Sequence, residues 1–316
     1  MIEPAGHVPV MLRRVLELLG PALSAPTAVV VDATVGLGGH AEAMLAAHPE
    51  LRLIGLDRDP AALERSAARL AGFGPRVRLV HTRYDALAQV LDEAGVHRLD
   101  AALFDLGVSS LQLDDDARGF AYSRDTPLDM RMDPTSSRTA ADVVNTYPVA
   151  DLARVLRVYG EERFARRIAE AIVRARPLAT SARLAELVRD AVPAATRRTG
   201  GHPAKRTFQA LRIEVNGELA ALRSALPQAI AALRVGGRMV VLAYHSLEDR
   251  AVKRAFTDGL RGCVCPPDLP VCVCGREPQL RLLVHGAETP SDDEIAANPR
   301  AASAKLRAVE RVREAA

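Results

Sequence analysis

Three acidic residues, Asp32, Asp57 and Asp105, each close a short apolar run in the first third of the sequence. Four positions after Asp32 begins a glycine-rich turn, Gly36-Leu37-Gly38-Gly39-His40, which leads into a good helix former. Such a turn lets ligand atoms approach bare backbone N–H groups. Carboxylates can accept hydrogen bonds from hydroxyl and amine groups. Together these residues predict a binding site for a nucleotide-type cofactor.

The turn fits two cofactor classes, and Asp32 favours one of them. Gly36, Gly38 and Ala41 match the loose dinucleotide pattern, with Asp57 placed to hold ribose hydroxyls, so a nicotinamide dehydrogenase stays an alternative. A carboxylate at position 32 would repel a pyrophosphate in a poorly solvated crevice. S-adenosylmethionine has no phosphate and carries a sulfonium and an ammonium group. The arrangement therefore favours S-adenosylmethionine and a class I methyltransferase.

The elements that must position these residues alternate between strand and helix. Strands are predicted at 28–32, 51–57, 77–80, 99–106, 238–244, 280–285 and 306–312. Helices are predicted at 10–19, 41–47, 60–70, 86–94, 204–233 and 247–260, the fifth bent at Gly217 or Pro227. This alternation predicts an α/β fold of the class I (Rossmann-like) type, with a parallel sheet whose strand ends form the ligand edge. Tyr84 and the pair His245-Ser246 would lie at the same edge.

A stretch without strands interrupts this pattern. Residues 139–192 read as helices only, at 149–159, 161–176 and 181–192. We therefore predict an inserted all-helical domain at 113–204, within a methyltransferase domain formed by 1–112 and 205–316. The insertion is expected to recognise the substrate.

Composition sets wide bounds on the partner. The chain has 316 residues, 48% of them hydrophobic, and a net charge of +3, which permits an anionic partner without demanding one. No signal peptide or membrane span is visible in the sequence. We expect a cytoplasmic protein with no membrane partner.

Six blocks of sequence narrow the class further. They are Asp32 to His40, Leu56-Asp57-Arg58-Asp59-Pro60, Asp105 to Ser110, Pro127 to Asp133, Tyr159 to Phe164, and His245-Ser246-Leu247-Glu248-Asp249-Arg250. In this order they resemble the bacterial RsmH (MraW) family of 16S rRNA cytosine-N4 methyltransferases. The resemblance implies S-adenosylmethionine as methyl donor and a cytidine near the decoding centre of 16S rRNA, within the small ribosomal subunit, as acceptor.

The resemblance also implies cofactor contacts. They fall on Gly38, Gly39, His40, Asp57, Tyr84, Asp105 and Gln112, beside Asp32 and Gly36 from the turn itself. One departure concerns the wider group of amino-methyltransferases, which often carry Pro-Pro-aromatic after the fourth strand. Here Asp105 is followed by Leu106-Gly107-Val108.

The expected chemistry assigns catalytic roles to three residues. The exocyclic amine of cytosine is a poor nucleophile, so catalysis must align it with the methyl group and accept its hydrogen bonds. Asp105 is the candidate acceptor, although a purely cofactor-binding or loop-ordering role fits equally. His245 and Ser246 are candidates for contact with the base or its phosphate; a core histidine and a helix cap are the alternatives.

Two further sets of residues suggest ligands. The basic candidates for RNA contact are Arg163, Arg166, Arg167, Arg197, Arg198, His202, Lys205 and Arg206. The four cysteines, Cys263, Cys265, Cys272 and Cys274, have the count of a zinc site, but their C-x-C spacing is also compatible with an ordered loop. No metal is predicted for the active site.

Two other functions remain open on the sequence alone. The acceptor could be an amino group of another RNA or of DNA, because the insertion is basic. The chain could also be a ribosome-assembly factor that binds the cofactor without transferring methyl groups. The sequence leaves the oligomeric state undefined.

Overall fold

The computed structural model describes residues 8–121, 125–194, 202–262 and 277–314, together with positions 265, 271 and 274. The chain forms two compact units, one from Met1–Gly107 with Leu219–Ala316 and one from Val108–Glu218. The predicted insertion at 113–204 is shorter than the second unit. The difference is largest at residues 205–216, a helix that packs on the helices at 140–146 and 149–160 of the second unit.

The first unit contains one seven-stranded sheet. Its strands are β1 (Val29–Asp32), β2 (Arg52–Asp57), β3 (Val77–His81), β4 (Leu99–Asp105), β5 (Leu233–Ala243), β6 (Leu280–Leu282) and β7 (Lys305–Arg311). Their order is β3-β2-β1-β4-β5-β7-β6. Strands β1 to β5 pair in parallel, which confirms the predicted class I (Rossmann-like) α/β fold. The prediction of parallel pairing is wrong for β7, which runs antiparallel to both of its neighbours because it returns between β5 and β6.

The helices surround the sheet or build the second unit. In chain order they are α1 (Leu12–Leu23), α2 (Gly39–Ala47), α3 (Pro60–Leu70), α4 (Leu87–Glu93), α5 (Ser110–Asp114), α6 (Ala140–Thr146), α7 (Val149–Gly160), α8 (Ala165–Arg174), α9 (Ser181–Ala191), α10 (Lys205–Asn216), α11 (Glu218–Ala232), α12 (Ser246–Leu260) and α13 (Asp292–Ala297). None of the helices in the described part of the chain is long and apolar enough to cross a membrane.

The helices predicted at 10–19 and 204–233 differ from the structure in their ends. The first is predicted to end at residue 19, but α1 continues to Leu23, because Ala22 and Leu23 are buried in the first unit and hold the last turn in place. The helix predicted at 204–233 is two helices, α10 and α11. The chain breaks at Gly217, whose φ of 62° is left-handed and costs glycine little, whereas Pro227 lies inside α11.

The core of the first unit lies on both faces of the sheet. All four residues of β1 are buried. Val30 packs into one apolar cluster with Leu19 and Met44, whereas Val29 and Val31 pack into another. The predicted strand that ends at Asp32 is therefore buried on both faces, which fixes the position of Asp32 at its end.

The second unit has an apolar core of its own, built from α6 to α10 and from the segment that precedes them. The segment before α6, around residues 127–133, has no periodicity in the sequence. It is held in place by the Asn216 side chain of α10. The Asn216 side chain accepts a 2.8 Å hydrogen bond from the Met132 N–H and donates one of 2.7 Å to the Met130 carbonyl. Asp129 and Arg131 of the same segment form a 2.7 Å ion pair. The block Pro127 to Asp133 therefore has a structural role in this unit.

Candidate functional site

The three carboxylates lie at the carboxyl ends of β1, β2 and β4, three neighbouring strands of the sheet. They differ in exposure. Asp32 is 1% exposed, whereas the side chain of Asp105 is 25% exposed. The strands thus bring the predicted acids together at one edge, and Asp105 is more accessible there than Asp32.

The glycine turn is tied to these acids by backbone hydrogen bonds. The Thr34 N–H donates to Asp32 Oδ1 at 3.2 Å, and the Gly36 N–H donates to Asp57 Oδ2 at 2.9 Å. Gly36 has a left-handed φ of 52°, and a Cβ there would meet only the Thr34 carbonyl, at 3.7 Å. The side of Gly36 that lacks an atom is therefore open, as a backbone that receives a ligand requires.

Asp57 is held from two sides. Its Oδ1 accepts a 2.9 Å hydrogen bond from the Asp59 N–H, while Oδ2 accepts from the N–H of Gly36. Asp59 in turn caps α3 by accepting from the Ala61 N–H at 3.1 Å. Burial raises the pKa of Asp57, and the two backbone donors oppose that shift. Each carboxylate oxygen keeps a further acceptor position that could take a ribose hydroxyl.

Asp32 does not carry the full negative charge that the sequence argument assumed. Burial raises its pKa to about 8, and the nearby charges of Asp105 and Asp57 add to the shift. In the chain alone this carboxyl group therefore holds a proton at neutral pH. A cationic group placed beside it would favour the ionised form.

Asp105 contacts three groups of the first unit. Its backbone N–H donates a 2.7 Å hydrogen bond to Thr34 Oγ1, and its Oδ1 accepts one of 2.7 Å from the Tyr244 hydroxyl. His40 Nδ1 lies 3.7 Å from Asp105 Oδ2. Burial, together with the charge of Asp105, raises the pKa of Tyr244, so its hydroxyl remains a donor. The carboxylate is thus held by the Tyr244 hydroxyl after β5, whereas Thr34 holds the backbone of Asp105.

His40 belongs to the site through its ring. The ring is 6% exposed, and its Nε2 lies 3.1 Å from the Val10 carbonyl, so Nε2 carries a proton. In the neutral ring, Nδ1 then has the lone pair on the side of Asp105. The imidazole ring therefore lies between the segment before α1 and Asp105, with Nε2 as donor to the Val10 carbonyl.

Tyr84 and Gln112 are placed by local packing. Tyr84 follows β3 and packs edge-to-face on Phe104 of β4, with ring centroids 5.9 Å apart. Gln112 belongs to the second unit, where it is buried and completes a capping box with Ser109 at the start of α5. Their contacts with a cofactor stay predictions.

His245, and not Ser246 as expected, is the cap of α12. Its Nδ1 accepts a 3.3 Å hydrogen bond from the Glu248 N–H, so the interpretation of Ser246 as the cap is wrong. Ser246 is exposed, because the imidazole of His245 occupies the cap position. His245 Nε2 is buried 3.2 Å from Glu248 Oε1. The ring is thus held against α12, and a catalytic role for either residue stays a prediction.

The residues expected to bind RNA or zinc are only partly described. Arg197, Arg198, Cys263 and Cys272 lie outside the described residues. The remaining basic candidates, at 163, 166, 167, 202, 205 and 206, are exposed, and Arg166 is paired with Glu170 at 3.0 Å. Cys265 is half-buried and Cys274 is exposed. Among the described residues no cluster could hold a metal ion.

The residues at this edge fit S-adenosylmethionine on the chemistry of the groups present. These three carboxyl groups, which ionise more readily beside a cation, suit a ligand that carries an ammonium and a sulfonium, and none of them offers a pyrophosphate a positive charge. The open side of Gly36 and the acceptors of Asp57 suit a nucleoside. The side chain of Arg69, a cation close to the turn, is directed to the Leu37 carbonyl at 3.2 Å and to Glu42 at 3.5 Å.

Sequence reasoning missed two residues of the site, Thr34 and Tyr244. Tyr244 follows the last residue of β5 at the carboxyl edge, so the rule that found Asp105 would also have found it. Thr34 stands two residues after Asp32 in the turn, where its hydroxyl had no visible partner in the sequence.

Comparison with known proteins gives consistent matches along the chain. Residues 4–312 match the MraW methylase family. A relative from Thermobifida fusca, named ribosomal RNA small subunit methyltransferase H, is 63% identical over 312 residues, which cover 98% of this chain and 94% of the relative. Relatives of the same name from Saccharopolyspora erythraea and Frankia casuarinae are 64% identical (98% and 94% covered) and 67% identical (94% of each).

Proposed function

The chain belongs to the MraW methylase family, and we propose that it transfers a methyl group from S-adenosylmethionine to the N4 amine of a cytidine in 16S rRNA. The names of the relatives support small-subunit ribosomal RNA as the substrate. We further propose that the RNA is presented within the small ribosomal subunit. An enzyme with this substrate would act in the cytoplasm.

The observation that carries this proposal is the meeting of three carboxyl groups and an open glycine turn at one sheet edge. Asp32, Gly36, Gly38, Gly39, His40, Asp57, Tyr84 and Gln112 are the residues proposed to hold the cofactor. Bound there, S-adenosylmethionine supplies an electrophilic methyl group. Asp57 would accept from the ribose hydroxyls, and Asp32 would face the ammonium group.

Asp105 is the residue proposed to act on the substrate. Its carboxylate is partly exposed and accepts a hydrogen bond from the Tyr244 hydroxyl, while its backbone N–H donates to Thr34 Oγ1. By accepting a hydrogen bond from the exocyclic amine it would align the nitrogen and stabilise the positive charge that develops there. A strong base is unnecessary, because the protonated product nitrogen is very acidic. His245 and Ser246 are secondary candidates for contact with the base or its phosphate.

The test is methyl transfer to defined acceptors. Purified protein with tritiated S-adenosylmethionine is offered small subunits from cells that lack this chain, naked 16S rRNA and duplex DNA. The product nucleosides are identified by mass spectrometry. We expect N4-methylcytidine from the subunits and strongly reduced transfer by Asp57→Ala.

Each other outcome identifies a different function. Transfer to DNA or to another base would replace the proposed acceptor. Binding of cofactor and subunit without a single turnover would identify an assembly factor.

A further inference from the structure

Helix α12 carries basic residues along one face of the first unit. Its inner face is formed by the buried residues Glu248, Val252 and Phe256. The outward positions recur every three or four residues, which places them on one side of a helix. They are Ser246, Arg250, Lys253, Arg254, Thr257 and Arg261 at the helix end. We call the four cations of this set, Arg250, Lys253, Arg254 and Arg261, the basic face of α12.

The acids at the start of α12 are occupied by other partners. Asp249 pairs with Arg307 at 2.7 Å and with Lys305 at 3.8 Å, both from β7. Glu248 accepts a 2.8 Å hydrogen bond from the Tyr244 N–H. Asp258 is an exposed acid of this helix. With four exposed cations against this one exposed acid, the outward side of α12 carries a net positive charge.

The position of α12 connects this charge to the site. The helix starts at Ser246, three residues after β5 ends at the edge that holds Asp105. Tyr244, between strand and helix, donates its hydroxyl hydrogen bond to Asp105. Fifteen residues of helix extend about 22 Å, so the cations lead away from the candidate catalytic carboxylate in a row.

We propose that the basic face of α12 binds the phosphate backbone of the RNA strand that carries the target cytidine; the proposal rests on the proposed function. Beside the cations the outward side holds two hydroxyl side chains, Ser246 and Thr257, and one acid, Asp258. Arginine, lysine and hydroxyl groups are the side chains that contact phosphates. A protein partner would require apolar or aromatic residues at the centre of its docking surface, and this face has none.

The test reverses charge at two positions on this face. Lys253→Glu/Arg254→Glu is compared with the wild-type chain and with Arg52→Glu/Arg78→Glu, the same charge change at exposed positions of β2 and β3. Binding to the small subunit and to naked 16S rRNA is measured over a range of salt concentrations. The affinity for S-adenosylmethionine, measured by calorimetry, reports whether each variant is folded.

The expected results distinguish this surface from the proposed function. Reversal on α12 should weaken binding to both RNA probes about tenfold or more and lower the slope of log Kd against log salt by roughly 1 to 2. The control should match wild type. Unchanged RNA affinity and slope in a folded variant would overturn the proposal, even if wild type forms N4-methylcytidine.

Loss of affinity for the subunit but not for naked RNA would also overturn it, because the partner would then be an acidic ribosomal protein. Failure of wild type to methylate cytidine would instead refute the proposed function, whatever the binding data.

Discussion

The Tyr244 hydroxyl donates a 2.7 Å hydrogen bond to Oδ1 of Asp105, so the end of β5 orients the carboxylate at the end of β4. Burial raises the pKa of Tyr244 and keeps it a donor. One oxygen of Asp105 is thereby fixed, and the other lies 3.7 Å from His40 Nδ1. Tyr244 is thus a positioning residue for the acid that we propose acts on the substrate.

Removal of this hydroxyl should slow methyl transfer without weakening cofactor binding. In Tyr244→Phe the ring still fills its place, but Asp105 loses a donor and can turn away from the amine. A hydrogen bond to a charged group contributes about 1.5–3 kcal/mol, of which only part is expressed in the rate. We expect kcat to fall about threefold to tenfold, with the Kd of S-adenosylmethionine unchanged. An equal loss of cofactor affinity would contradict a positioning role.

Asp105→Asn separates catalysis from cofactor binding. The amide oxygen can still accept from Tyr244, but the variant has no negative charge to stabilise the developing cation. We expect kcat to fall about 100-fold, in the range usual for loss of such a group, with a much smaller change in the Kd of S-adenosylmethionine. A large rise in that Kd with little change of kcat at saturation would assign Asp105 to the cofactor alone.

The stability of the protein should depend on the protonation of Asp32. Its pKa in the folded chain is about 8. In the unfolded chain an aspartate titrates near pH ~4. Between these values the folded state holds a proton that the unfolded state has lost, so the free energy of unfolding falls as pH rises from about 5 to about 8.

Asp32→Asn should remove this contribution while keeping an acceptor for the Thr34 N–H. Urea unfolding, followed by circular dichroism, is expected to show that the variant is more stable than wild type at pH 8. The difference should be much smaller near pH 4. Parallel pH profiles for the two chains would show that the pKa of Asp32 is the same in the folded and the unfolded chain.

Binding of a cationic cofactor should release a proton from the same residue. The ammonium group would lower the pKa of Asp32, which is mostly protonated at neutral pH before binding. Calorimetry at pH 7, in buffers of different ionisation enthalpy, should show a release that approaches one proton and is absent in Asp32→Asn. Equal values for wild type and variant would place the ammonium elsewhere.

The close contact of Gly39 with Pro9 predicts a coupled pair of substitutions. A Cβ on Gly39 would lie 2.5 Å from Pro9 Cγ. Gly39→Ala should therefore destabilise the chain by about 1–3 kcal/mol, as overpacking does. Pro9→Ala removes the obstructing carbon and should restore most of the loss. Simple addition of the two effects in thermal unfolding would disprove the contact.

The sheet and its ligand edge could be predicted from the sequence, because apolar runs and helix starts are patterns of adjacent residues. The run before Asp32 and the Pro60 start of α3 needed no knowledge of distant contacts. The residues that escaped prediction depend on the tertiary fold. The Tyr244 hydroxyl hydrogen-bonds to Asp105, which lies 139 positions away in the sequence. The ring of His245, rather than the hydroxyl of Ser246, caps α12.

The boundary of the insertion shows the same limit. Residues 205–216 continue a helical pattern into α11, and only their packing on α7 assigns them to the second unit. The sequence indicated Gly217 and Pro227 equally as the position where the helical stretch 204–233 is interrupted. Packing decided between them, because a proline is tolerated where neighbouring contacts hold the helix together.

The pairing of β4 with β5 must wait until the second unit has been synthesised. Their paired residues, such as Leu103 and Val240, are separated along the chain by the whole second unit. Closing so long a loop adds little free energy, since each doubling of its length costs only about 0.6 kcal/mol. During synthesis, however, the edge of β4 has no partner until β5 is made, whereas the second unit is continuous and can fold earlier. The edge of β4, the strand that ends at Asp105, is therefore paired only after the insertion has been made.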